Sequence, residues 1–308
     1  MFGGKAVIGY LLRLVLLAVL ATGGAAQAVI CSVTATSVPL STLYTATANT
    51  NYIGTISGQC TKEAGDPTRP YIYISIDQGE PPAGRQMTRQ GGTQMVTYNI
   101  YQGTSTAGGQ WTTGAGRTYQ SGSSGGVWYR MTSSASPQPF SYNYYFRAPL
   151  GQTTAPAGIY DDLLIGVSVR LSDSARLSTG VILQTTTFGA TVSIQSDCYF
   201  STPPSTLSIN YTSFMTTAAT GSSVFQVSCT YNSPYTLSLD AVPPPAVASA
   251  NGTALGLNYS ITLSATSGTG SAAPQTYTVD GSMPAGQAGT CAGALCTATQ
   301  THTLYIGF

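Results

Sequence analysis

The sequence predicts an all-β fold of two tandem β-sandwich domains. Three observations carry this. Short runs rich in β-branched and aromatic residues recur along the chain, many bounded by Gly, Pro, Asn or Asp. No sustained 3.6-residue apolar period occurs beyond the N-terminal segment. Two cysteine-bracketed segments resemble one another, which reads as a duplication. Short strands at regular spacing are the pattern of sandwiches.

The N-terminus sets the compartment. Lys5 and Arg13 are the only charges before the apolar run Leu14 to Ala21, and small residues follow, ending Ala26-Gln27-Ala28. A basic start, a short apolar core and an A-x-A end describe a secretory signal peptide. The competing reading, a membrane anchor, needs roughly 20 apolar residues. Residues 1–28 are therefore assigned to export, and the mature chain is expected to begin at Val29.

About 280 mature residues allow one large or two ordinary domains. Charged residues make up 7% of the chain, against a usual share of about 25%. Low charge can mean disorder, but 20 Tyr and 8 Phe among Val, Ile and Thr supply the apolar surface that disordered chains lack. The formal net charge of +1 offers nothing that would draw nucleic acid or an anionic membrane.

Six cysteines in an exported chain suggest three disulfides. CSVTATSVPLSTLYTATANTNYIGTISGQC, from Cys31 to Cys60, parallels CYFSTPPSTLSINYTSFMTTAATGSSVFQVSC, from Cys198 to Cys229. Each opens with Cys, a Ser/Thr/Pro patch and a Leu, and ends in a strand-like run closing on Cys. Pairing Cys31 with Cys60 and Cys198 with Cys229 closes loops of about 30 residues, worth roughly 3–4 kcal/mol each on the chain-entropy view. Cys291 and Cys296 remain to staple a local turn. A zinc site there would need a second ligand pair, and His302 is the only histidine. The duplication divides the mature chain into residues 29–187 and 188–308.

Strands are expected over Tyr71 to Ile76, Met95 to Tyr101, Leu163 to Val169, Ser223 to Val227, Tyr235 to Leu239, Tyr259 to Leu263 and Thr303 to Phe308. Catalytic constellations are scarce. His302 is expected to be a solvent-facing strand residue. Asp161-Asp162 is the only adjacent carboxylate pair; neighbours on a strand diverge to opposite faces, and the pair reads as a turn into the following strand. Gly122 to Gly126 lacks the Lys and helix of a phosphate-binding loop. No enzyme activity, cofactor or metal is expected.

Two aromatic clusters carry more information. Phe140 to Phe146 is read mainly as alternating core. Val127, Trp128, Tyr129 and Met131, flanked by Gly and Ser, are the candidate surface-binding loop, since exposed apolar patches mark interaction sites. At the C-terminus, Leu304, Ile306 and Phe308 fall on one face of the last strand and form the candidate lining of a groove open to strand addition.

Tyr98-Asn99-Ile100-Tyr101, Gln110-Trp111, Arg147-Ala148-Pro149-Leu150-Gly151-Gln152 and Pro156-Ala157-Gly158-Ile159-Tyr160-Asp161-Asp162 resemble motifs of the spore coat protein U domain family, which includes subunits of archaic, Csu-type chaperone–usher pili. The family's W-G is broken here by Thr112. In the second half, Pro284-Ala285-Gly286 resembles the P-A-G motif and His302-Thr303-Leu304 the opening of the final strand. The resemblance implies immunoglobulin-like sandwiches, the C-terminal one an incomplete pilin fold completed by donor-strand complementation. It also implies a periplasmic pilus chaperone, an outer-membrane usher and the N-terminal donor strand of the next subunit as partners. Only Val29-Ile30 precede Cys31 in the expected mature chain, leaving no donor segment, so the expected role is a tip adhesin at the cell surface, contacting abiotic or cell surfaces in biofilms. The alternatives are a polymerising spore-coat or outer-surface protein without an adhesive role, and a carbohydrate-binding module.

Overall fold

A computed structural model describes residues 29–63, 66, 69–77, 85–111, 126–133, 135–172 and 180–308. The expected signal peptide and residues 122–125 lie outside the described residues. All regular elements among the described residues are strands.

The first half contains β1 (Ile30–Ala35), β2 (Thr50–Thr61), β3 (Tyr71–Asp77), β4 (Arg85–Arg89), β5 (Met95–Gln102), β6 (Val127–Arg130), β7 (Gln138–Ala148), β8 (Gly158–Ser172) and β9 (Val181–Ile194). They join in the order β1-β2-β7-β5-β4-β8-β3-β6, with β9 on the other edge of β8. Strand alternation explains which side chains enter the core. On β7, Phe140, Tyr144, Phe146 and Ala148 are buried, while Asn143, Tyr145 and Arg147 take the other face.

The sheet folds over one core and closes on itself. Beyond β1, Thr36 N donates to Thr55 O at 3.0 Å; Val38 N then donates to Gly189 O at 2.9 Å, and Tyr44 N to Ser193 O at 2.9 Å. The chain after β1 thereby crosses from β2 to lie parallel to β9. Tyr144 reinforces the seam by donating to Thr36 O and packing on Phe188 at 4.9 Å between ring centroids. Gly54 makes room for it: a Cβ there would sit 2.2 Å from the Tyr144 ring.

The second half contains β10 (Cys198–Thr202), β11 (Ala219–Cys229), β12 (Pro234–Leu239), β13 (Ser249–Ala254), β14 (Leu257–Leu263), β15 (Ser267–Thr269), β16 (Gln275–Met283) and β17 (Leu304–Gly307). Sheets β10-β11-β16-β14-β13 and β15-β12-β17 enclose a second core. Their order repeats the first half strand for strand. β10-β11-β16-β14-β13 matches β1-β2-β7-β5-β4, and β15-β12-β17 matches β6-β3-β8. Eight strands correspond to eight, and β9 alone has no counterpart among the described residues.

Local chemistry repeats as well. Cys31 faces Cys60 across β1 and β2, and Cys198 faces Cys229 across β10 and β11; both pairs are disulfides, as is Cys291–Cys296. Gln152 binds both backbone groups of Thr97 at 2.6 and 3.0 Å, and Gln287 binds both of Asn258 at 2.6 and 3.0 Å. Tyr44 OH accepts from Gln152 N at 3.1 Å, and Tyr211 OH from Gln287 N at 2.8 Å. The preceding glycines, Gly151 and Gly286, hold φ of 91° and 80°, where a side chain is strained. Pro284-Ala285-Gly286-Gln287 is therefore the counterpart of Pro149-Leu150-Gly151-Gln152. This corrects the motif assignment above, which paired Pro284-Ala285-Gly286 with Pro156-Ala157-Gly158.

Two further expectations are corrected. A boundary at 187/188 cuts β9, whose Phe188, Ala190, Val192 and Ile194 all belong to the first core. Asp161 and Asp162 lie inside β8, not in a turn; they divide as strand neighbours do, Asp162 accepting from Tyr98 OH at 2.7 Å and Asp161 from Gln90 Nε2 at 2.5 Å. Burial, helped by the Asp162 carboxylate, pushes the Tyr98 phenol well above its ordinary range.

If β9 seals the first core, Phe188→Ala should cost about 3–5 kcal/mol of unfolding free energy. A urea midpoint that barely moves would show that the core closes without it.

Candidate functional site

The last strand of the second sandwich is bonded along one edge only. β17 pairs with β12, Leu239 facing Leu304 and Leu237 facing Ile306. The other edge of β12 is occupied: Leu237 N donates to Thr266 O at 2.8 Å and Leu239 N to Val247 O at 3.0 Å. On the outer edge of β17 no strand pairs among the described residues. β10, the free edge of the opposite sheet, approaches β17 without bonding to it.

The contrast with the first sandwich is direct. There β8, the counterpart of β17, runs for 15 residues and pairs with β9 on one edge and with β3 and β4 on the other. β17 has 4 residues. Among the described residues 29 line the first core as buried side chains and 10 the second, where Phe200, Tyr277, Leu304 and Ile306 are only partly covered. Of the residues expected to line a groove, Leu304 and Ile306 pack against this core, whereas Phe308 is 61% exposed. An unpaired edge beside a thinly covered core offers backbone donors and acceptors together with apolar surface, the two things an added strand needs.

A polar clasp fixes the start of β17. His302 Nδ1 meets Asp240 Oδ2 at 2.5 Å, and its Nε2 meets Tyr259 OH at 2.8 Å. Thr303 N donates to Asp240 Oδ1 at 2.7 Å, and Asp240 N to Thr303 O at 2.8 Å. Asp240 directly follows β12 of one sheet and Tyr259 sits on β14 in the other, so the imidazole joins the two layers. His302 is thus not the solvent-facing strand residue expected above. Its partners are distant in sequence, and only the fold assembles them. Partial burial raises the Asp240 carboxyl, but hydrogen bonds from His302 and Thr303 outweigh it and hold the pKa below the ordinary value.

The aromatic segment expected to form a loop is a strand. β6 pairs with β3, placing Ile72 opposite Tyr129 and Ile74 opposite Val127. Val127 and Tyr129 pack on the first core, and Met131 is 1% exposed, its N–H donating to Pro70 O at 2.9 Å. Alternation puts Trp128 on the opposite face, edge-on to Tyr71 at 5.4 Å, with Arg130 lying 5.3 Å from the same tyrosine ring. Three of the four expected contact residues therefore belong to the core side, because a strand cannot present consecutive residues on one face.

These features define a disulfide-bracketed protein of two tandem β-sandwiches. Residues 16–166 match the family profile of the Spore Coat Protein U domain. The match ends within β8, so β9 lies beyond it. No curated protein sequence matches the chain. Among solved structures it is similar to a chain of the CsuC–CsuE chaperone–tip adhesion subunit pre-assembly complex from archaic Csu pili of Acinetobacter baumannii, at 16% identity and TM-score 0.43, over 90% of this chain and 100% of that one. It is also similar to the CupB6 tip adhesin from Pseudomonas aeruginosa, at 8% identity and TM-score 0.40, over 91% of this chain and 96% of that one.

Asp240 has a lower pKa folded than its unfolded value near 3.8, so the folded state binds fewer protons. Its contribution to stability is complete above that pH and is lost as pH falls through the depressed value. Thermal melts from pH 7 to pH 3 should show an acid-side loss that Asp240→Asn reduces. A mutant with the same acid-side loss would count against the clasp.

Proposed function

We propose that this chain is the tip adhesin of a chaperone–usher pilus, with an adhesive first sandwich and a pilin-like second one. In this reading the residues up to the end of β9 form the adhesin domain and those from β10 onward the pilin domain, both immunoglobulin-like. The observation that carries it is the eight-for-eight strand correspondence, in which β9 closes the first sandwich and the matching edge of β17 carries no strand. A sandwich that already holds its closing strand needs none from outside; one with an open edge beside half-covered Leu304 and Ile306 accepts a strand in that place. A chain with one filled and one open sandwich has a single acceptor site, so one strand from a neighbouring subunit completes it.

Within this reading a periplasmic chaperone first covers the β17 edge. An outer-membrane usher then exchanges it for the N-terminal donor strand of the next subunit. The protein passes through the periplasm to the cell surface, where the first sandwich contacts an abiotic or cellular surface and supports biofilm growth. The match of residues 16–166 to the Spore Coat Protein U domain profile supports export and assembly rather than catalysis.

The test is the full mature chain mixed with peptides matching the N-terminal extensions of pilus shaft subunits from the same organism. At a 100-fold excess over its dissociation constant, such a peptide stabilises its target by about 2.7 kcal/mol. The melting transition of the second sandwich should rise accordingly, and a peptide with scrambled apolar spacing should leave it in place. No shift with any of the native peptides would reject the assembly model.

Trp128 is the member of the expected contact set that faces outward. Trp128→Ala should weaken surface attachment in a retention assay while pili still assemble. Unchanged retention would remove the β6 face from the adhesive surface.

A further inference from the structure

The outer face of β2, β7 and β5 differs in kind from its counterpart in the second sandwich. Across three strands, Ile53 lies opposite Tyr145, which lies opposite Tyr101. The two tyrosine rings are 6.3 Å apart, and Ile53 is 49% exposed. The next row is Asn51, Arg147 and Asn99. Gln110, bridged to Tyr101, donates to Asn99 Oδ1 at 2.6 Å and extends the face by one more chain.

The cysteine and Gly-Gln landmarks align the two sandwiches residue for residue. Where the first carries Ile53, Tyr145 and Tyr101, the second carries Ser222, Asp280 and Thr262 in one row. Where the first carries Asn51, Arg147 and Asn99, the second carries Thr220, Ser282 and Ser260. The shared fold therefore does not require an aromatic row or a cation on this face.

Arg147 is the informative member. Its guanidinium enters no hydrogen bond or ion pair among the described residues, and its Nε is buried without a partner. Its two Nη groups are not among the buried unpartnered atoms, and such a pair matches a carboxylate bidentately, end-on. The apolar C–H face of a sugar ring stacks on tyrosine, and amides satisfy its hydroxyls. The row spans two strand spacings, about 10 Å, enough for more than one sugar ring.

We infer that the outer face of β2, β7 and β5 binds a carboxylate-bearing saccharide, with Tyr101 and Tyr145 as the stacking platform and Arg147 taking the carboxylate. This rests on the reading of the first sandwich as the adhesive one. Carboxylated sugars occur as sialylated cell-surface glycans and as uronic acid polymers, and the two present the same chemistry to the arginine.

The experiment is calorimetric titration of the full mature chain with 3′-sialyllactose, with tetragalacturonic acid and with neutral lactose. Saturable binding of either acid, at least tenfold tighter than lactose, is expected; which acid binds distinguishes the two sources. Arg147→Gln should weaken binding tenfold or more, with Arg147→Lys intermediate, and Tyr145→Ala should abolish it. Melting curves of the variants, and their unchanged response to the shaft-subunit peptide, verify that they are folded. Absence of saturable binding to both acids, equal binding of lactose, or unchanged affinity in folded Arg147→Gln each overturns the proposal. None of these outcomes alters the strand-acceptor test, which reads the other sandwich.

Discussion

A strand inside a sheet must satisfy hydrogen-bonding groups along both edges, and the two halves of this protein meet that demand differently. β8 has neighbours on each side, with β9 supplying one of them. β17, in the equivalent position, has only β12. Other differences follow from this one. The first core is closed over by Phe188 and Val192, whereas the second leaves Phe200, Leu304 and Ile306 partly covered. β17 is short, and its entry is held by the His302 clasp and preceded by the Cys291–Cys296 staple. An open edge is ordinarily a route to unwanted pairing; here it sits where a structurally equivalent strand exists in the other half.

The all-β class, the duplication and the cysteine pairing were legible in the sequence because each leaves a local mark. β-branched and aromatic runs identified β3, β5, β8, β11, β12, β14 and β17, and paired cysteines fell on facing strands. β9 was not legible. Its first half, Val181 to Thr187, is largely exposed on both faces, and alternation begins only at Phe188. The boundary was misplaced for the same reason. The clasp around His302 was hidden because Asp240 and Tyr259 are far away in the chain. Pro-Ala-Gly misled because three residues matched two different motifs; the glutamine that follows it in the second half, with its backbone partner at Asn258, decides between them.

Duplication with divergence explains which positions were kept. The cysteines, the glycine with positive φ, the glutamine and its tyrosine recur because each fixes the path of the backbone. Outward positions on the same strands carry no such duty and have separated into an aromatic, arginine-bearing face in one sandwich and a hydroxyl-rich face with Asp280 in the other. Tyr259, which holds His302, aligns with Tyr98, which donates to Asp162 of β8; β8 is secured in addition by pairing on both sides.

The cysteine brackets have a mechanical consequence. A chain anchored at one end and pulled at the other lengthens only where its backbone is free to straighten. Each bracket encloses about 30 residues, which fully extended would reach roughly 100 Å. Because Cys31 is bonded to Cys60 and Cys198 to Cys229, that length is withheld from a stretching force even if β1 and β2, or β10 and β11, come apart. Under load the molecule is a shorter tether than its residue count implies, and the first two strands in each half stay joined at the cysteines unless a covalent bond breaks.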